Sequence, residues 1–296
     1  MFGFLFKRIS SEPILPERVQ WLNLRIRWIT EGSLIPDEQS SRARIVAAEM
    51  MPEDFDLISS VLRLEFSAPA HLKEQFSEFC SWADARFESI FLMLRQCGAA
   101  AVPVLRRITT GVYDWQQGMA LGVLADLASQ GFDTEATAQL VSRELKYWRY
   151  ETLQRGLNGV CKLAACNESV ADALLKLGAD WGKDDPIEEL GILETLSVFA
   201  PNVAARREAE LYNLMRQAGR GVPRPPILEG FVVDEAGEVF GELPEASGLT
   251  EDYHAIRAAL ALNRIYPDRP EPREQLEHWR DHHGNKSVRE QLAELL

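Results

Sequence analysis

The chain has 296 residues, 46% of them apolar and 26% charged, and a formal net charge of −13. That length and apolar content allow a sizeable core and argue against disorder, and no apolar run approaches the roughly eighteen residues that a membrane-spanning helix needs. The acidic excess disfavours a surface built to hold a phosphate backbone.

The N-terminal run MFGFLF is followed by Lys7 and Arg8, the reverse of a signal peptide's basic-then-apolar order, and it is too short for a signal's apolar core. It reads as mature cytoplasmic sequence whose apolar start docks onto the fold, within an N-terminal helical cap over residues 1–48. A helical segment is predicted over Asp54–Phe66.

Trp82, Trp115, Trp148 and Trp181 then lie 33 residues apart, and other positions repeat with them. Nine residues after each Trp stand Phe91, Leu124, Leu157 and Leu190, and three further on stand Leu94, Leu127, Val160 and Leu193. Phe87, Ala120 and Leu153 complete an i, i+4, i+7 stripe on a first helix in three copies, while Pro186 departs from it in the fourth. Gly98 and Gly131 mark a turn, replaced by Ala164 and Ser197 in the later copies. A second helix follows, with Val104, Thr137, Val170 and Val203 in one column and Ile108, Val141, Leu174 and Arg207 four residues on. The intervening column, Leu105, Ala138, Ala171 and Ala204, is mostly small and suits close helix approach. Ser81, Asp114 and Asp180 precede three of the tryptophans as candidate N-caps, a rule that Tyr147 breaks.

A repeated unit of this length buries its apolar face only against its neighbours, so residues 49–218 are expected to form an elongated stack. The stretches GAAAVPVLRRIT from Gly98 and QQGMALGVLADLAS from Gln116 resemble HEAT-like repeats of the short bacterial kind, over roughly residues 82–213. The resemblance implies an all-α, right-handed α-solenoid of helical hairpins. Ankyrin and tetratricopeptide signatures, which share similar periods, are absent. Some HEAT-like proteins excise damaged bases and others are bilin lyases. The first activity needs a basic groove, for which Arg106, Arg107, Arg143, Lys146, Arg206 and Arg207 are only loosely placed, and no chromophore motif supports the second.

The pattern breaks near Arg216. GRGVPRPP over 219–226 opens a Pro/Gly-rich insertion, 219–249, in which Phe231–Val233 and Glu238–Phe240 flank a turn and suggest a small β-hairpin. Helices resume from Thr250, with an amphipathic Tyr253–Tyr266, a break at Pro270–Pro272 and two final pieces forming a C-terminal cap over 250–296. His278, His282 and His283 close one of these pieces. They lack the Glu of HExxH and read as residues that complement a helix C-terminus. Cys80, Cys97, Cys161 and Cys166, irregularly spaced, read as buried reduced thiols.

Charge is uneven: Glu168–Asp252 holds 18 acidic and 7 basic residues, whereas the first 48 residues hold 7 basic and 5 acidic. The expectation is therefore a non-enzymatic cytoplasmic scaffold, without cofactor or metal, that binds a protein partner of basic character. Its candidate contacts are Trp82, Trp115, Trp148 and Trp181, either as an exposed strip or as wedges between repeats, together with Glu235, Glu238 and Glu242 of the insertion. An immunity or antitoxin role against a basic toxin is one version. The competing class is a HEAT-like enzyme acting on nucleic-acid bases, or a metal-dependent enzyme using the C-terminal histidines.

Overall fold

The computed structural model describes residues 16–35, 37–64, 67–77, 81–111, 115–183, 186–216, 232–233, 239–240, 249–284 and 286–296. The MFGFLF run, Cys80, Asp114, Glu235, Glu238 and Glu242 lie outside these residues, and for Trp115 only the backbone is described. The fold is all-α apart from one two-residue strand pair, and the chain divides into two compact units, Met1–Asp133 and Thr134–Leu296.

In the first unit, α1 (Glu17–Glu31) and α2 (Glu38–Glu49) are followed by α3 (Asp54–Val61), α4 (Ser81–Gln96), α5 (Val102–Thr109) and α6 (Trp115–Ser129). The predicted first-helix stripe is the core: Phe91, Leu94, Leu124 and Leu127 are buried, with Leu22, Ile26 and Ile29 of α1 and Ile58 of α3 beside them in the sequence of buried positions. Glycine supplies the turns. Gly98 (φ 59°) separates α4 from the single 3₁₀ turn that leads into α5. Gly131 (φ 100°) ends α6, with its N–H on Ala128 O and the Phe132 N–H on Leu127 O, the paired bonds of a Schellman stop.

Two charged side chains hold this unit together from inside. Arg86 of α4, 1% exposed, donates from Nη2 to Val61 O and Asn23 Oδ1, each at 2.8 Å, and from Nε to Leu64 O at 3.0 Å. It thereby adds donors at the end of α3, to Val61 O, which also accepts the Leu64 N–H at 3.1 Å, and to Leu64 O just beyond the helix. Asp54, fully buried at the start of α3, accepts from Arg18 Nε and Nη2 at 2.6 and 2.5 Å and from the Met51 N–H at 2.7 Å.

The second unit contains α7 (Thr134–Glu144), α8 (Tyr150–Gln154), α9 (Leu157–Cys166), α10 (Glu168–Trp181), α11 (Pro186–Phe199), α12 (Pro201–Ala204) and α13 (Glu208–Met215). Strands β1 (Val232–Val233) and β2 (Val239–Phe240) pair antiparallel, Val232 opposite Phe240 and Val233 opposite Val239, as the insertion's pattern suggested. Helices α14 (Leu249–Ile265), α15 (Pro270–His282) and α16 (Lys286–Leu295) complete the chain. The small column performs its expected role: Ala138, Ala171 and Ala204 are buried, and α10 packs on α7, α9 and α11.

Several local expectations are corrected. Ala164 and Ser197 make no turn; they lie buried inside α9 and α11. Those turns come three residues later, where Asn167 Oδ1 accepts the Val170 N–H and caps α10, and where Pro201, lacking an N–H, opens α12. Ser81 is the first residue of α4 rather than a residue outside it, and Asp180 sits in the last turn of α10, bound to Lys183 Nζ at 2.6 Å. Pro270 and Pro272 occupy the first turn of α15, where a proline's missing donor costs nothing, so they start a helix instead of breaking one.

Candidate functional site

The three repeated tryptophans whose side chains are described do not share one environment. Trp82 and Trp148 are only 2% and 6% exposed, so neither indole is available to an exposed strip. Trp82 stands in the first turn of α4, edge-on to Phe76 with ring centroids 5.1 Å apart. Trp148 precedes α8, and Trp181, which the period places at the start of a first helix, is instead the last residue of α10. The shift follows from Pro186, which fixes the start of α11 five residues beyond Trp181.

Trp181 is half-buried and belongs to a cluster drawn from four helices of the second unit. Tyr150, opening α8, meets it edge to face at 5.8 Å between centroids. The Tyr150 ring needs Gly191 of α11: a Cβ there would lie 3.1 Å from Tyr150 Cζ and closer still to the hydroxyl oxygen. One turn on, Glu194 accepts from Arg257 Nε at 2.9 Å and Nη2 at 2.5 Å across to α14. The Arg257 guanidinium stands 5.5 Å from the ring centroid of Tyr253, which is 54% exposed. Burial acts to lower the Arg257 pKa, but the hydrogen bond and charge of Glu194 outweigh it and raise it. The cluster is thus a fixed, charged and aromatic surface of Tyr, Trp and Arg, the residue types that dominate binding hot spots. Sequence reasoning reached Trp181 and missed Tyr150, Tyr253, Glu194 and Arg257. The signal for Tyr150 was Gly191, a glycine set between Leu190 and Ile192 in a helix interior.

A neighbouring anchor in the same unit links α13 to the end of α14. Tyr266 Oη donates to Glu208 Oε2 at 2.6 Å, Arg269 pairs with the same carboxylate, and its guanidinium lies 3.6 Å from the Tyr266 ring centroid. The Arg269 hydrogen bond, then that of Tyr266, holds Glu208 below the usual carboxylate range.

The arginines that a phosphate-binding groove would require are already engaged. Arg106 pairs with Asp133, Arg107 with Asp56 at 3.2 Å, Arg143 with Glu144 at 2.8 Å, Arg206 with Glu168 and Asp172, and Arg207 with Glu189 and Glu210. Lys146 Nζ lies over the Tyr147 ring at 4.7 Å. In the first unit an open groove of about 550 Å³ runs between the start of α5 and the loop after α6, lined by Val102, Pro103, Phe132 and the Arg106–Asp133 pair. Its ionic groups satisfy each other and leave a mainly apolar floor.

Among the described residues no group of three or more His, Cys, Asp and Glu is placed to hold a metal ion. His278 and His282 are exposed and stacked at 4.7 Å in the last turns of α15, and His282 Nδ1 contacts His278 O at 3.1 Å. Burial pushes the Cys97 thiol up to about 11 and raises that of Cys161, so neither is a ready thiolate nucleophile. Of the described cysteines only Cys161 is fully buried as expected; Cys97 is half-buried and Cys166 is exposed at the end of α9. No family model, curated protein or solved structure matches the chain significantly.

Proposed function

We propose that this chain is a non-enzymatic scaffold of HEAT-like helical hairpins that binds a basic protein through the aromatic and acidic surface of its second unit. The observation that carries this reading is the Tyr150–Trp181–Tyr253–Arg257 cluster, where rigid aromatic area and a locked guanidinium are offered on a chain of net charge −13. The pairing of Arg106, Arg107, Arg143, Arg206 and Arg207 with carboxylates supports a protein partner over nucleic acid, since phosphates would have to displace existing ion pairs. The recurrence of buried columns every 33 residues supports the stacked-repeat reading. An immunity or antitoxin role, in which the acidic chain covers a basic toxin such as a nuclease, is the version that best uses its charge.

The test is capture on the tagged chain from its native cells at low and at high salt, repeated with Tyr253→Ala. A basic protein that is retained at low salt, released at high salt and bound more weakly by about 2 kcal/mol or more after Tyr253→Ala is the expected result. Retention of nucleic acid, or capture indifferent to Tyr253, removes this reading.

A further inference from the structure

Apolar side chains left in solvent gather in the N-terminal hairpin: Leu24 is 57% exposed, Ile45 49% and Met51 39%. Polar contacts fix where they lie. Arg18, at the start of α1, binds Asp54, and Asp54 accepts the Met51 N–H, so Met51 lies at the end where the chain enters α1 from Pro16. Further along, Arg25 of α1 pairs with Glu49 of α2 at 2.8 Å, and Arg42 of α2 donates to Trp28 O at 2.5 Å. The two helices therefore run antiparallel, and Ile45 stands on α2 between these two crossings. Trp21, half-buried, lies beneath Arg18, whose guanidinium is 3.7 Å from its ring centroid.

We propose that this seam is the docking surface for the chain's own first residues, with Phe2, Phe4, Leu5 and Phe6 seated against Met51, Ile45 and Trp21. The segment has the reach: nine residues lie between Phe6 and Pro16, and the ten steps from one to the other span up to about 33 Å when extended. The whole of α1 is only about 22 Å long at helical rise. It has the chemistry, since every one of its first six residues but Gly3 brings a large apolar side chain to an apolar seam. It also has the charge: Lys7 and Arg8 follow at once, and exposed Glu53 stands two residues from Met51 at the end where the chain enters, with Glu49 paired to Arg25 nearby.

Hydroxyl-radical footprinting of the full chain against the Phe4→Asp/Phe6→Asp variant tests this, reading oxidation of Met51 and Trp21 by mass spectrometry. The expected result is several-fold faster oxidation of both residues in the variant, with circular dichroism unchanged, and the same gain at Met51 in Ile45→Asp. Equal rates overturn the proposal. So does protection of Met51 that disappears on dilution, which assigns the seam to a second copy, or protection seen only with anionic phosphatidylserine vesicles, which assigns the segment to a membrane surface.

Discussion

Among the described residues, buried charge is confined to the first unit. Asp54, Arg86 and Asp126 have at most 5% exposure, whereas the buried polar side chains of the second unit are Thr137, Thr152, Ser197 and His283. The second unit instead keeps its carboxylates and arginines exposed or half-buried, the Arg257–Glu194 and Arg207–Glu189 pairs among the latter, and fills its interior with aliphatic side chains, mostly leucine, alanine and valine. The difference teaches where specificity resides. In the first unit, a few internal hydrogen bonds decide which helix ends meet, because a buried charge without its partners is costly. In the second, buried alanines lie in the helix contacts, and the ion pairs stand nearer solvent, where salt screens them.

The largest effect follows from Arg86. Replacing it with Met keeps the volume but leaves Val61 O, Leu64 O and Asn23 Oδ1 without their charged donor. Arg86→Met is expected to cost about 3–5 kcal/mol in urea unfolding, the range seen when a buried charged contact is broken on one side. A loss below about 1 kcal/mol would show that these carbonyls are satisfied by other means and would erase the contrast between the units.

The second unit's counterpart is Gly191→Ala. The new methyl meets the Tyr150 ring 3.1 Å from Cζ, inside a contact that also positions Trp181. Overpacking of this kind is expected to cost about 1–3 kcal/mol. The cost should shrink when combined with Tyr150→Phe, which removes the hydroxyl that lies nearest. A double-mutant cycle on thermal or urea unfolding reads the coupling directly, and strict additivity would mean that Gly191 is small for some reason other than Tyr150.

These two sites differ in how far sequence reveals them. The apolar columns were legible because a repeat of 33 residues forces the same positions inward in each copy, and Leu124, Val160 and Leu193 are buried as that period demands. Gly98 and Gly131 were legible because a left-handed turn favours glycine. Helix ends without glycine were not: Asn167 and Pro201 end and start helices by different chemistry, so those turns moved, and Pro186 starts α11 late enough to leave the fourth tryptophan at the end of α10. The Tyr150–Trp181–Tyr253–Arg257 cluster was largely hidden, because its members lie more than a hundred positions apart at the extremes, Tyr150 and Arg257, and only the packing of α14 against α11 brings Arg257 to Glu194. Arg86 was equally hidden, since its role is set by where α3 ends rather than by any pattern around it.

Acid acts on the first unit through its buried carboxylate, Asp54. Burial tends to raise the Asp54 pKa, but the Arg18 hydrogen bond and the Met51 amide hold it below its usual value. A carboxylate depressed in the folded state contributes stability that is present above its unfolded pKa and is lost as pH falls through the folded one. The first unit is therefore expected to weaken progressively below about pH 4, the ordinary carboxylate range. Asp54→Asn should lower its stability at neutral pH and flatten that acid dependence. Unfolding followed by hydrogen exchange resolved along the chain separates the units, and an unchanged acid slope in Asp54→Asn would move the effect to other carboxylates.

The smallest expected change in stability is also the one that bears most on partner association. Arg206 bridges Glu168 at 2.7 Å and also binds Asp172, on the exposed face of α10. Its side chain is 40% exposed, so solvent screens the pairs, and Arg206→Ala should change stability by less than about 1 kcal/mol. Yet the substitution unmasks two carboxylates and deepens the negative potential of the second unit. If a basic partner is steered to that surface, its association rate should rise at low salt and converge with that of the unaltered chain at high salt, where the Debye length shrinks to a few ångströms. Stopped-flow association at two salt concentrations reads both limits. A slower rate at low salt would mean that Arg206 itself touches the partner, and would place an acidic group on that partner opposite α10.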